Sequence, residues 1–265
     1  LLRFEGNEIH YARFDAVVGR KFGELLLDFP NGCLVGVAKS DGSSHRLNPP
    51  ADYVVGRDEE LLVLAEDDHI EHRPYRGPLS PASVRISSAP AEKPVEQMLV
   101  LGWNEKIFPI VEEFDSYVGK GSTLTLVNTR GVDERGRALT ERCGELKNVT
   151  VQHLVGEFTS RKLMERIRPH QYTTVMVLGD SSGDGSAEEA DTRAIIALLL
   201  LRDFQRRAGV TRQEVCSEIL DPKNRELAAT TEIHDIVISN ELISMVLAQV
   251  THEPRVRPVL EDLFR

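Results

Sequence analysis

The residues best placed to do chemistry run from Asp180 to Asp191, Asp-Ser-Ser-Gly-Asp-Gly-Ser-Ala-Glu-Glu-Ala-Asp. Oxygen-bearing side chains fall at positions one, three, five, seven, nine and twelve of this stretch: Asp180, Ser182, Asp184, Ser186, Glu188 and Asp191. Gly185 stands at position six. A loop wraps a calcium ion with this spacing, because a hard cation takes about six to eight oxygens and the sixth residue must turn sharply. Two features depart from that pattern: the preceding residues read as a strand rather than a helix, and position twelve is Asp rather than the longer, bidentate Glu. The same residues also read as a polar loop entering a helix. Ser186 would then cap that helix, and Glu188 and Glu189 would favour the positive end of its dipole.

The second candidate is the turn Gly102-Trp103-Asn104-Glu105-Lys106, which follows the apolar run Gln97 to Leu101. Helical spacing then begins at Ile107, Ile110, Val111 and Phe114, so the turn joins a buried strand to an amphipathic helix. A dinucleotide site at such a turn uses three glycines, so that the backbone can approach the pyrophosphate, and an acid closing the second strand for the ribose. Here the turn carries one glycine, Trp103 and Asn104 stand where small residues belong, and the second strand ends in Asn128. Nicotinamide (NAD) binding is therefore disfavoured. The helix start still offers free N–H groups to an anion, which leaves Gly102, Trp103, Asn104 and Asn128 as a candidate cofactor crevice.

Other catalytic constellations are missing from the sequence. Eight histidines are dispersed, and no HExxH, GxSxG or phosphate-binding P-loop occurs. The reading is a protein that is not an enzyme, with a nucleotide- or NAD-binding Rossmann protein or oxidoreductase as the alternative. A net charge of −10 argues against nucleic acid, whose phosphates need a basic face. Three cysteines without CxxC spacing suit a reducing compartment, with Cys33 and Cys216 expected to pack as small apolar groups. No run approaches the length of a membrane helix.

The elements that must position these residues fall into two parts. Residues 1–70 read as a small β-α-β-β-β module, with strands near 8–14, 33–38, 44–47 and 60–65 and a helix over 19–29. Residues 71–95 lose all periodicity and carry Pro74, Pro78, Pro81, Pro90 and Pro94, which reads as a linker. Residues 96–265 alternate strands and helices, which imposes parallel pairing with right-handed crossovers. The fold class is α/β: a Rossmann-like doubly wound parallel sheet preceded by a small α+β subdomain. Two apolar stripes near the end, Leu242/Ile243/Val246/Leu247 and Val259/Leu260/Leu263/Phe264, are candidates for assembly, the second more than the first.

Several stretches carry a family resemblance. Ser217-Glu218-Ile219-Leu220-Asp221-Pro222-Lys223-Asn224 and Ile236-Val237-Ile238-Ser239-Asn240-Glu241-Leu242 are similar to the fifth and sixth strands of the regulator-of-potassium-conductance (RCK) unit. That unit is the cytosolic gating module of ion channels and Trk-type transporters. The small module resembles its C-terminal subdomain through Val18 to Leu25, Gly36 to Gly42 and Asn48-Pro49-Pro50. More narrowly, Leu101-Gly102-Trp103, Ala190-Asp191-Thr192-Arg193 and Ile238 to Leu242 resemble the soluble part of CASTOR/POLLUX-type channels, in which a Gly-Trp turn replaces the glycine fingerprint. The resemblance implies a regulatory part of a tetrameric cation channel, on the cytoplasmic face of a membrane, gated by Ca2+ or another small ligand. Because a C-terminal-type subdomain comes first, it implies the end of one RCK unit joined to the start of another. The pore and first lobe would precede Leu1, and a final lobe would follow Arg265.

Overall fold

The computed structural model describes residues 7–77, 92–180, 186–210, 212–233 and 235–263. Its two units are Leu1–Ile86 together with Ile243–Arg265, and Ser87–Leu242. The middle of the expected linker, residues 78–91, lies outside the described residues.

The first unit contains β1 (Glu8–Ala12), a short helix α1 (Phe22–Leu25), β2 (Gly32–Lys39), β3 (His45–Leu47) and β4 (Glu59–Ala65). These strands form an antiparallel sheet in the order β1-β4-β2-β3. The helix expected over 19–29 shrinks to four residues. Lys21 is extended, and residues 19–23 exchange hydrogen bonds with the 51–55 segment (Gly19 with Val55, Phe22 with Tyr53, Gly23 with Ala51), so the helix cannot start before Phe22. One sheet face packs Phe22, Leu25, Phe29, Leu34, Val37, Leu61 and Val63. Cys33 does not pack as expected: it is exposed, in a strand whose inward positions belong to its neighbours. Buried Asp28 receives Arg20 Nη1 at 2.6 Å and the Tyr75 N–H at 2.8 Å, which ties residues 73–75 to this unit. Burial alone would raise the Asp28 pKa, but the Tyr75 N–H and the Arg20 guanidinium together hold it below the usual carboxylate value.

The opposite face of this sheet is covered by the end of the chain, where α7 (Ser239–His252) is followed by α8 (Val256–Leu263). Val256 and Val259 of α8 are fully buried among Ile9, Ala38 and Leu62. Arg255 binds Glu60 at 2.7 Å, and its carbonyl accepts the Tyr11 hydroxyl at 2.7 Å. The expectation for the two late stripes is thus reversed at Val259, which is a core residue. Leu242, Ile243 and Leu247 of the first stripe are exposed, Leu247 at 61%, as is Leu263 at the end of the second. Phe264 lies outside the described residues.

The second unit alternates β5 (Gln97–Leu101), α2 (Ile107–Tyr117), β6 (Ser122–Asn128), α3 (Val132–Cys143), β7 (Val149–Val155), α4 (Arg161–Ile167), β8 (Thr174–Val177), α5 (Ala187–Ala208), β9 (Glu214–Ile219), α6 (Arg225–Ala229) and β10 (Asp235–Ile238). Every pair in its six-stranded sheet is parallel, in the order β10-β9-β8-β5-β6-β7. This is the expected doubly wound α/β architecture, with the small antiparallel sheet as the α+β part. Because side chains alternate along a strand, Leu99 and Leu101 join the cluster under α4 and α5, while Met98 and Val100 join the one under α2 and α3. Arg135 of α3 is fully buried, donating to the carbonyls of Leu126 and Leu154 at 3.1 Å each, and so pins α3 to β6 and β7. Among the described residues no helix is long and apolar enough to cross a membrane.

The contrast between the late helices is measurable. Val259→Ala should lower unfolding free energy by about 2–3 kcal/mol, from lost burial plus a cavity. Leu247→Ala should change it by less than about 0.5 kcal/mol. Urea denaturation of each variant checks the pair, and equal effects would contradict the packing of α8.

Candidate functional site

In a sheet of this order the connections reverse direction between β5 and β8, and folds of this class open a ligand crevice beyond the carboxyl ends of those two strands. Gly102 sits at the end of β5 with φ +98°, a backbone region unfavourable to other residues. A Cβ there would lie 2.5 Å from the Leu178 carbonyl oxygen, so the exits of β5 and β8 approach too closely for any side chain. Trp103 turns into the core. Its ring meets Phe108 edge to face at 5.9 Å, and it is buried with Met98, Val100, Ile107 and Leu178.

The polar residues of the turn converge on a group that sequence reasoning missed, Glu218 of β9. Asn104 Nδ2 donates to Glu218 Oε2 and to the Gly179 carbonyl, both at 2.8 Å, while Asn104 Oδ1 accepts the Lys106 N–H at 2.9 Å. The Gly179 N–H reaches Glu218 Oε2 at 3.1 Å. On the other oxygen, Oε1 accepts from Lys106 Nζ and, at 2.5 Å, from the Ser239 hydroxyl. Burial on its own would raise the pKa of Glu218, but donation from Lys106, Ser239 and Asn104 outweighs it and holds the carboxyl below its usual value. The available signal was a glutamate beside a serine among the apolar residues Val215, Cys216 and Ile219.

A second cluster links the two sets of sequence candidates. Asn128 is fully buried and donates through Nδ2 to Asp180 Oδ2 at 2.8 Å, while its Oδ1 accepts the Arg130 N–H. Arg193 Nη2 reaches the same Asp180 oxygen at 3.1 Å and Glu157 Oε2 at 3.1 Å, with its guanidinium 5.1 Å from the Phe158 ring centre. Ser182 and Asp184 lie outside the described residues. Ser186 caps α5, accepting the Glu189 N–H at 3.3 Å, and Glu188 is exposed in its first turn. Asp191 is fully buried and accepts the N–H groups of Leu220 and Asp221 and the Asn224 amide at 2.7–2.9 Å. Its carboxylate organises the loop after β9. Among the described residues no group of three or more His, Cys, Asp or Glu could hold a metal ion.

A dinucleotide does not fit these residues. The indole of Trp103 belongs to the core, Asn104 and Lys106 are engaged by Glu218, and the residue closing β6 is an amide held by Asp180.

Comparison with known proteins gives the same direction. Residues 1–77 match the family described as Castor and Pollux, part of voltage-gated ion channel. The whole chain is 30% identical over 295 residues to a probable ion channel CASTOR of Oryza sativa subsp. japonica, covering 33% of that protein. It is 31% identical over 301 residues to the probable ion channel SYM8 of Pisum sativum, again covering 33%. Against the ion channel CASTOR of Lotus japonicus it is 30% identical over 298 residues and covers 34%. Along its whole length the chain is similar to proteins named as CASTOR and POLLUX ion channels. It spans about a third of the length of the curated relatives it matches. Those relatives are named as channels, not as enzymes.

Two outcomes test the geometry of the site. The folded pKa of Glu218 lies below the value of an unfolded glutamate, so its stabilisation is complete above that ordinary value and fades as pH falls through the folded one. Glu218→Gln should therefore cost about 2–4 kcal/mol at neutral pH, with the difference from the natural chain shrinking as pH falls below the ordinary glutamate value. Asp191→Ala should cost a similar amount, about 2–4 kcal/mol, with or without added calcium, because three donors lose their acceptor. Thermal melts across pH, and with calcium or chelator, check both.

Proposed function

We propose that this chain is the regulatory part of a cation channel, a segment of a gating ring that senses a small ligand such as Ca2+ and couples it to pore opening. The observation that carries this reading is similarity along the entire chain to proteins named as ion channels. Those relatives are about three times as long as the matched region, and the reading assigns the pore to their remaining length. It also assigns this region to the cytoplasmic face of a membrane, as a homo-oligomer in a tetrameric ring.

In this reading the doubly wound sheet is a scaffold for assembly and sensing rather than for catalysis. A ligand opens a channel only by binding one assembly state better than the other. Exposed apolar side chains offer contacts through which subunits meet: Ile196 and Leu199 on α5, and Leu242, Ile243 and Leu247 on α7. The calcium candidate is the loop at 180–191, with Asp180, Ser182, Asp184, Ser186 and Glu188 as donors. Asp191 accepts the N–H groups of Leu220 and Asp221 and so anchors α5, and Asp180 also accepts from Asn128 and Arg193, so an ion at this loop would share Asp180 with those donors.

Two measurements test the reading. Isothermal titration with CaCl2 should give saturable heat that Asp184→Ala abolishes, and a chain that evolves no heat at millimolar calcium removes calcium as the ligand. Sedimentation equilibrium at high concentration should give a mass above the monomer, lowered by Leu199→Asp. A strict monomer at every concentration counts against the ring.

A further inference from the structure

We propose that Glu218 is a built-in anion: its carboxylate occupies the position at the switch point that a nucleotide phosphate takes in folds of this topology, so the chain itself closes that crevice to phosphate. This goes beyond the channel reading and is independent of where calcium binds.

Three observations carry the assignment. The first is place. The carboxylate bonds simultaneously to Asn104 and Lys106, in the turn that opens α2, and to the Gly179 N–H, just past the end of β8. Those two segments border the reversal point where pyrophosphate is bound in dinucleotide folds. The second is donor chemistry. An ammonium, a side-chain amide, a backbone N–H beside glycine and a hydroxyl are the groups that bind phosphate oxygens elsewhere. The third is saturation. A carboxylate offers about four lone-pair sites, and Lys106, Ser239, Asn104 and Gly179 supply four donors, two to each oxygen. The Asn104 amide and the Gly179 N–H have no hydrogen left for an incoming anion, Lys106 directs its charge at the carboxylate, and the negative charge of Glu218 repels an anion that approaches the exposed side of that lysine.

A Rossmann-like sheet with phosphate-ready donors can thus sit in a protein whose relatives are named as channels. The donors are present, and an internal acid uses them. Any regulatory ligand then acts at a position other than the pyrophosphate one.

The test uses the purified chain with inorganic phosphate and with ADP, followed by isothermal titration and phosphorus NMR. The natural chain should show no saturable binding of either up to about 10 mM, and Glu218→Ala and Glu218→Gln should bind phosphate at least about tenfold more tightly than that limit. Adding Lys106→Ala to Glu218→Ala should remove the acquired binding. Phosphate binding by the natural chain as tight as by the variants, or a folded Glu218→Ala chain that binds none, overturns the proposal. A measurement on the natural chain covers the case of variants that do not fold. With lysines carrying 13C-methyl groups, the Lys106 resonance (assigned by Lys106→Arg) should stay fixed through the phosphate titration, and a saturable shift of that resonance overturns the proposal.

Discussion

The second unit depends on one buried carboxylate whose every lone pair is taken. Glu218 gathers donors from the turn after β5, the exit of β8 and the junction of β10 with α7. A buried acid with one missing partner costs free energy, whereas a fully satisfied one holds its neighbours in a single geometry. Four separate chain segments are therefore fixed at the same end of the sheet by one side chain. The asymmetry of that energetics is the constraint: none of the donors can leave without leaving charge behind.

Around that centre the remaining polar groups follow the same rule. Asn128, Asp180, Arg193 and Glu157 form a second chain of bonds, and Asp191 orders the loop after β9. The crevice end of the sheet is thus cross-linked by side chains, where cofactor-binding members of this topology keep donors available for a ligand. Rigidity at that end suits a domain whose proposed work is to transmit force between subunits. Movement of rigid bodies, with strain carried at their edges, is one established form of switching.

Much of this architecture was legible from pattern alone. The parallel sheet could be read because its strands are short apolar runs separated by helix-period segments, and local signals of that kind survive in any tertiary setting. The Gly-Trp turn was legible as a departure from a cofactor motif, although the burial of Trp103 was not, since an indole in a turn gives no sign of which way it points. What escaped is what depends on distant partners. Glu218 has ordinary chemistry until Asn104 and Lys106, more than a hundred positions earlier, are brought to it. Arg135 looks like a surface charge on a helix until two strand carbonyls are found to receive it. The helix expected over 19–29 starts late for the same reason: residues 19–23 are bonded to the distant 51–55 segment, with Lys21 held extended. Two residues of the calcium spacing, Ser182 and Asp184, lie outside the described residues, while Asp191 is committed to a backbone loop.

The burial of Val256 and Val259 against Ile9, Ala38 and Leu62 gives the first unit a particular order of construction. This unit is interrupted in sequence: the second unit, Ser87–Leu242, is inserted between its two pieces. The inserted unit is contiguous, so its sheet can close as soon as it has been synthesised. The first unit must keep one face of its sheet bare until nearly two hundred further residues have left the ribosome, and closing so long a loop carries an entropic cost that local contacts do not. During that interval the uncovered face, with Leu62 at its centre, is the part of the nascent chain most exposed to misassociation.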